Sequence, residues 1–306
     1  MKNIIEKINR LKKERNAVIL AHYYQDPQIQ DIADFLGDSL ALARKARDSK
    51  ADIILFCGVH FMAETAKILN PEKIVIVPDM EAGCSLADSC PADKFKEWIE
   101  NHPNHTVVSY INCSAETKAL SDIICTSSNA EKIINSIPKD RKILFAPDKY
   151  LGSFLKKKTG RELELWDGTC QVHIEFSEIE LQKLSAKQPE ALILAHPECP
   201  PNILDYADYV GSTSGIINFA KQSTGKEFII ATEPGVIYEM KKQIQGKQFY
   251  PVPNLDGCSC NVCPFMRLNT PEKIALALEN LSPRIELDEE LRLKALKPLE
   301  KMLELS

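Results

Sequence analysis

Apolar positions along this chain fall into short runs that stop abruptly at polar residues, and one such run recurs three times. Its copies are Ile19-Leu-Ala-His-Tyr-Tyr, Val107-Val-Ser-Tyr-Ile-Asn-Cys and Ile193-Leu-Ala-His-Pro-Glu-Cys. Short apolar runs of this length predict buried strands. A helical spacing precedes each one, over Ile4 to Lys13, Lys94 to Glu100 and Ile179 to Ala186. Seventeen residues after His22, Tyr110 and His196 stand Ser39, Ser127 and Thr213, each five residues beyond an aspartate (Asp34, Asp122, Asp208) with mostly apolar residues between. A second strand follows in each copy, at Ile53-Ile-Leu-Phe, Lys142-Ile-Leu-Phe and Phe228-Ile-Ile-Ala. A third then ends in a loop carrying Cys84, Cys170 or Cys258, the last continuing to Cys260 and Cys263. The pattern predicts further helices over Gln28 to Asp48, Phe61 to Leu69, Leu151 to Lys158 and Val236 to Gln243. One unit of roughly 87 residues is thus repeated three times.

The alternation of strand and helix predicts an α/β fold of three pseudo-threefold-related, three-layer αβα domains with small parallel sheets. The expected boundaries are 1–87, 88–172 and 173–263. The C-terminal helices of 264–306, read as Pro271 to Leu281 and Leu287 to Leu305, are expected to pack on the first domain and close the ring. In such sheets functional loops lie beyond the carboxyl ends of the strands. A site at the common interface is therefore expected, built from the ends of the first strands and from the cysteine loops.

Composition narrows the chemistry. A net charge of −5 with 26% charged residues gives no basic excess for nucleic acid or an anionic membrane. The N-terminus alternates charged and apolar residues and does not read as a signal peptide, and no run is long enough to span a bilayer, so the cytoplasm is the expected compartment. Ten cysteines in such a chain point to metal or redox chemistry. Equivalent places in the repeat single out Cys84, Cys170 and one of Cys258, Cys260 and Cys263 as thiolate ligands. Cys57, Cys90, Cys113, Cys125 and Cys199 read as small buried hydrophobes. Three thiolates are one short of a closed structural zinc site. A [4Fe-4S] cluster on three cysteines keeps one iron open as a Lewis acid.

Several segments carry a resemblance to a known family: Ala21-His-Tyr-Tyr-Gln, Asp31-Ile-Ala-Asp-Phe-Leu-Gly-Asp-Ser-Leu, Val59-His-Phe-Met-Ala-Glu, Cys125-Thr-Ser-Ser-Asn-Ala, His196-Pro-Glu-Cys-Pro, Ala207-Asp-Tyr-Val-Gly-Ser-Thr and Cys263-Pro-Phe-Met-Arg-Leu-Asn-Thr. Over essentially its full length the chain resembles the quinolinate synthases of NAD biosynthesis. That resemblance implies condensation of iminoaspartate with dihydroxyacetone phosphate to quinolinate, with loss of phosphate and two waters. It also implies one [4Fe-4S] cluster per chain, held by Cys84, Cys170 and Cys263, the last chosen over Cys258 because it precedes the Met-x-x-Asn-Thr pattern.

The same resemblance implies substrate contacts from His22, Ser39, Tyr110, Ile111, Asn112, Ser127, His196, Pro197, Glu198 and Thr213. Glu198, His196, Tyr110 and Tyr24 take the catalytic roles: Glu198 is the general base, and Tyr24, on a lid after the first strand, completes proton transfer on closure. Cys258 and Cys260 are expected to be unpaired bystanders, and His173 is left unassigned. A serine or threonine after a strand is commonly only a helix cap, but three at one spacing point to anion contacts at helix starts. The pathway implies a transient aspartate oxidase or dehydrogenase partner. Two alternatives remain at this stage: another iron–sulfur hydro-lyase, and a non-catalytic metal-stapled redox protein.

Overall fold

The computed structural model describes residues 2–306. The first unit runs α1 (Lys2–Glu14), β1 (Ala17–His22), α2 (Pro27–Ile32), β2 (Phe35–Gly37), α3 (Ser39–Arg47), β3 (Ile53–Cys57), α4 (His60–Leu69), β4 (Ile74–Ile76) and α5 (Ser85–Asp88). The second repeats this order with α6 (Ala92–Glu100), β5 (His105–Tyr110), α7 (Ala115–Ala119), β6 (Ile123–Cys125), α8 (Ala130–Ser136), β7 (Lys142–Ala146), α9 (Lys149–Thr159), β8 (Leu163–Leu165) and α10 (Gln171–Ile174). The third has α11 (Glu178–Lys187), β9 (Leu192–Ala195), α12 (Pro201–Leu204), β10 (Tyr209–Val210), α13 (Thr213–Gln222), β11 (Glu227–Ala231), α14 (Val236–Gln243) and β12 (Gln248–Pro251). A short 3-10 turn (Met266–Leu268), α15 (Pro271–Asn280) and α16 (Glu289–Glu304) complete the chain.

Each unit holds a four-stranded, all-parallel sheet, and the strand order is the same in all three: β2-β1-β3-β4, β6-β5-β7-β8 and β10-β9-β11-β12. The fold is α/β with three small parallel sheets, as the repeat predicts. Each sheet has one strand more than expected. The edge strands β2, β6 and β10 are made by the apolar residues between the repeated aspartates and hydroxyls, and at three, three and two residues they are too short to show a strand period. The Gln28 to Asp48 stretch accordingly breaks into α2, β2 and α3.

The repeated aspartates explain the constant spacing. Asp34 Oδ2 accepts the Ile19 N–H at 2.8 Å, Asp122 Oδ2 the Val107 N–H at 2.8 Å, and Asp208 Oδ2 the Ile193 N–H at 2.7 Å. Each aspartate N–H in turn donates to the carbonyl of that same residue. This reciprocal pair fixes the edge strand's register, with Leu20 beside Phe35, Val108 beside Ile123 and Leu194 beside Tyr209.

Strand alternation divides each sheet between two apolar layers. Ile19, Ala21 and Leu55 pack with Ile8 and Leu11 of α1 and with Ile274 and Leu278 of α15, while Leu20, Ile54 and Phe56 face Leu42 of α3 and Met62 of α4. In the third unit Ile193 and Ile229 face Leu181 of α11, and Leu194, Phe228 and Ile230 face Ile216 and Met240. Where both faces are covered the strands carry near-continuous apolar runs, as in β3. Each large aliphatic side chain so buried contributes about 2 kcal/mol.

In the tail, α15 lies beside α1. By contrast, α16 straddles the first two units instead of resting on the first alone. It packs on α7, β6 and α4, sends Ala295, Leu299 and Met302 into the core shared by both units, and donates from Arg292 to the Ile68 carbonyl at 3.1 Å. Among the described residues no helix is long and apolar enough to cross a membrane.

Replacing Asp122 with alanine, which leaves the Val107 N–H without its side-chain acceptor, is expected to lower stability by about 1 kcal/mol in denaturant unfolding. Asp122→Asn, which keeps an acceptor oxygen, is expected to lose less. Equal stability of Asp122→Ala and the parent chain would show that the strap does not hold the edge strand.

Candidate active site

Strand ends and loops from all three units line one cavity of about 80 Å³. Of the residues predicted from sequence, His22, Tyr24, Ser39, Tyr110, Asn112, Ser127, His196, Glu198, Thr213, Cys84, Cys170 and Cys263 all line it. Ile111 and Pro197 do not: both are buried, and Ile111 belongs to the core shared by the first two units.

The two histidines are built alike. The N–H of Tyr24 donates to His22 Nδ1 at 3.2 Å, and the N–H of Glu198 donates to His196 Nδ1 at 3.3 Å. An Nδ1 that accepts carries no proton, so both rings are neutral with the proton on Nε2. His196 Nε2–H donates to Ser127 Oγ at 3.2 Å. Burial, the largest cause in each case, holds His22 down to about 4 and His196 down to about 3.

The three repeated hydroxyls are not the helix caps. Asp38 caps α3 by accepting from Ala41 at 3.0 Å, and Ser212 caps α13 by accepting from Gly215 at 3.1 Å. Ser39 and Thr213 are therefore first helical residues whose hydroxyls are released from capping. In the second unit Asn129 Oδ1 takes the Thr126 N–H at 2.6 Å, which likewise leaves Ser127 free. Tyr24 crosses from the first unit to the third, where its hydroxyl lies 2.8 Å from Thr213 Oγ1 and 2.7 Å from Thr232 Oγ1. The loop after β1 is thus closed over the cavity. Arg267 holds it there, donating to the Tyr24 carbonyl at 2.9 Å, pairing with Asp26 at 3.0 Å and binding Glu233 at 2.7 Å.

Glu198 is 3% exposed. Its Oε2 lies 2.8 Å from His173 Nδ1, an approach that is short but off the direction of a good hydrogen bond. Its Oε1 accepts from Asn112 Nδ2 at 3.4 Å. Burial alone raises this carboxyl, but the neighbouring His173 ring and the Tyr110 hydroxyl outweigh it and hold Glu198 below the usual carboxylate range. A carboxyl kept ionised in this way is an acceptor of modest basicity. Tyr110 is pushed up, first by burial and then by Glu198, so it stays a hydroxyl donor.

His173, unassigned from sequence, is central here. It is 1% exposed, bonds Thr232 Oγ1 through Nε2 at 3.0 Å and stacks on His196 with ring centroids 4.9 Å apart. Sequence reading also passed over Asp38, Glu233 and Arg267. Glu233 follows the end of β11 as Glu198 follows the end of β9, so the strand-end criterion, extended to the second strand, would have found it.

Eight cysteines are free. Cys84, Cys170 and Cys263 are half-buried and line the cavity, whereas Cys57, Cys90, Cys113, Cys125 and Cys199 are fully buried. The three cavity thiols share one local geometry, each just ahead of a short helical turn. Burial raises all three, Cys84 to about 12. Against it work the N–H groups two and three residues on: Leu86 and Ala87, Val172 and His173, Phe265 and Met266. Neither Cys84 nor Cys170 makes a full capping hydrogen bond. This shared geometry marks Cys263, not Cys258, as the third equivalent. Cys258 and Cys260 are not bystanders; they are bonded to each other as a disulfide. Asn254 Oδ1 takes the N–H groups of Asp256 and Cys258, and Gly257, at φ 75°, turns the chain so that the two sulfurs meet.

Gly168 sets the approach of the Cys170 loop. A Cβ there would collide with the Pro147 carbonyl and Ser89 Oγ, and the Gly168 carbonyl accepts from Lys149 at 2.9 Å. Ligand atoms of Cys170, His173 and Glu198 lie within 4.8 Å of one another, so the buried wall of the cavity can hold a metal ion.

The family profile described as NadA, quinolinate synthetase A protein, matches residues 6–304. Similar curated proteins include a quinolinate synthase of Rippkaea orientalis, 58% identical over 98% of this chain and 92% of its own length. Another, from a Synechocystis species, is 57% identical over 100% of this chain and 96% of its own. The quinolinate synthase of Trichodesmium erythraeum is 57% identical over 99% and 94%. Matched along nearly its whole length, this chain belongs to the quinolinate synthetase A family.

Proposed function

We propose that this chain is an enzyme of NAD biosynthesis that condenses iminoaspartate with dihydroxyacetone phosphate to quinolinate, releasing phosphate and two waters. The sum balances without an oxidant or reductant. The observation that carries the reading is the convergence of three strand-end sets and three equivalent cysteines on one cavity. Cys84, Cys170 and Cys263 fit a [4Fe-4S] cluster: they are the only free cysteines among the described residues that are not fully buried, and burial keeps their protons on until a metal group displaces them. When bound, the cluster supplies an open iron as a Lewis acid for loss of hydroxyl groups.

The chain's own residues do the rest. Among the described residues no lysine or arginine lines the cavity, so carboxylates and phosphate are held by Nε2–H of His22 and His196, by the hydroxyls of Ser39 and Thr213 at helix starts and by Ser127 in the turn before α8. Glu198 accepts a proton from the condensing carbon, with the His173 ring beside it at 2.8 Å. Tyr110 and Tyr24, both kept as hydroxyls by burial, return protons to leaving oxygens, and the closed Tyr24 loop excludes water. An aspartate oxidase or dehydrogenase would supply the imine, and the cytoplasm is the compartment proposed. A second reading, a single zinc ion on Cys170, His173 and Glu198, is supported by the grouping of their ligand atoms.

Metal analysis of the anaerobically prepared chain, with quinolinate formation assayed on the same sample, tests both readings. About four irons and four sulfides per chain with product formed are expected; stoichiometric zinc without product would favour the second. Serine at Cys84, Cys170 or Cys263 is expected to abolish iron retention and turnover, while serine at Cys57 or Cys125 leaves iron in place. Glu198→Gln is expected to retain iron and lose kcat by about 10²- to 10⁴-fold, the range for a general base; a kcat within twofold of the parent's would remove Glu198 from that role.

Neutral, buried His22 and His196 also fix a pH dependence. Their folded values of about 4 and about 3 lie below the unfolded value of 6.5, so between those limits the unfolded chain binds protons that the folded chain refuses. Stability is therefore full above pH 6.5 and falls as pH drops toward 4. The midpoint of thermal unfolding, followed over that window, is expected to fall less steeply in His22→Gln. An unchanged slope would show that His22 is not held neutral.

A further inference from the structure

The segment Val59-His-Phe-Met-Ala-Glu opens α4 and takes no part in the reaction set out above, yet it supports two walls of the cavity. Phe61 and Met62 line it directly. The N–H of His60 donates to the Ala82 carbonyl at 2.7 Å and braces the loop that leads to Cys84. One turn on, Glu64 points away from the cavity and into the second unit. It is 5% exposed, and its Oε2 accepts the N–H of Ala115, the first residue of α7, at 3.0 Å.

Lys118, on the same short helix, is fully buried. Its Nζ donates to the Cys113 carbonyl and lies 5.3 Å over the Phe61 ring. Burial pushes the Glu64 carboxyl up, and Lys118 and His60 pull it back. Burying two ionisable side chains here costs more than an apolar pair filling the same space would.

The backbone held by these two groups is a tight turn. Ile111 N–H donates to the Cys125 carbonyl at 2.8 Å, and Cys113 N–H donates back to the Ile111 carbonyl at 2.8 Å. Asn112 stands at its apex, with Nδ2 on Glu198 and with a buried Oδ1 that has no partner among the described residues. The turn is thus held on its far side by Lys118 and Glu64 and presents an amide to the cavity on the other.

We propose that Glu64 and Lys118 are positioning residues: by holding the Cys113 carbonyl and the Ala115 N–H, they fix the turn that presents Asn112 to Glu198 and to the substrate. The kinetic side of this role rests on the reaction proposed above; the clamp on the turn does not.

Lys118→Met removes the donor to Cys113 and Glu64→Met removes the acceptor for Ala115, each at similar volume. The double variant leaves a neutral pair, so the fold survives. On the metal-loaded enzyme, unfolding midpoint, iron content, kcat/KM for quinolinate formation and amide hydrogen exchange are measured together. The double variant is expected to keep iron and fold, and to lose kcat/KM by about 100-fold, the scale of a misplacement near 1 Å. Exchange at Cys113 and Ala115 is expected to quicken. In an Asn112→Ala background the same two substitutions are expected to cost no more than about twofold, because little remains to position.

A full 100-fold loss in that background would overturn the proposal, as would parental kcat/KM with unchanged exchange in the double variant. If the parent enzyme itself forms no quinolinate, the reaction is what fails. Exchange at Cys113 and Ala115 then decides the clamp, and an unchanged rate overturns it.

Discussion

A carboxylate kept ionised inside the protein is the constraint to which the rest of the site answers. Removing the Glu198 charge from water costs several kcal/mol unless donors replace the lost hydration. The loop that carries it cannot supply them all. Asn112 and Tyr110 come from the end of β5 and His173 from α10. All three lie outside the third sheet, so the packing of one unit on another is what makes the charge tolerable. The same convergence shapes the neutral histidines. A charged ring at His22 or His196 would be buried too, and the backbone N–H aimed at each Nδ1 leaves the protonated ring no acceptor there.

Much of the fold is written in the repeat. Apolar runs bounded by polar residues place three of the four strands of every unit, and helical spacing places α1, α4, α9 and α14 to within a residue or two. The strands β2, β6 and β10 escape that reading because two or three residues carry no period. Their signal lies in the aspartates, whose side chains bind a backbone N–H fifteen residues back; spacing shows the constancy but not the bond. The placement of α16 also escapes, since an amphipathic helix announces an apolar face without naming its partner. It is Ala295, Leu299 and Met302, meeting a core that two units share, that decide where it lies.

The site was legible where chemistry coincides with strand ends, and the hydroxyls show why position had to be supplemented by geometry. Ser39 and Thr213 look like caps in sequence, and only the presence of Asp38 and Ser212 one residue earlier frees them. Cys258 sits at the repeat-equivalent place, yet it turns toward Cys260, and Cys263 has the N–H surroundings of the other two cavity thiols. His173 was opaque for a different reason. It follows a cysteine in a loop, and nothing local signals that it will lie under Glu198, which is distant along the chain and belongs to the next sheet.

The order in which the cavity wall appears along the chain has a consequence for synthesis. Cys84 and Cys170 emerge from the ribosome well before Cys263 and Met266, and α16, which braces the first two units, emerges last. Chains fold from the N-terminus as they are made, so the first two sheets can form while the third wall of the cavity is still missing. A nascent or truncated chain therefore presents two open thiols instead of a weaker version of the finished site. The cavity gains its full wall only once the chain has been made through Met266.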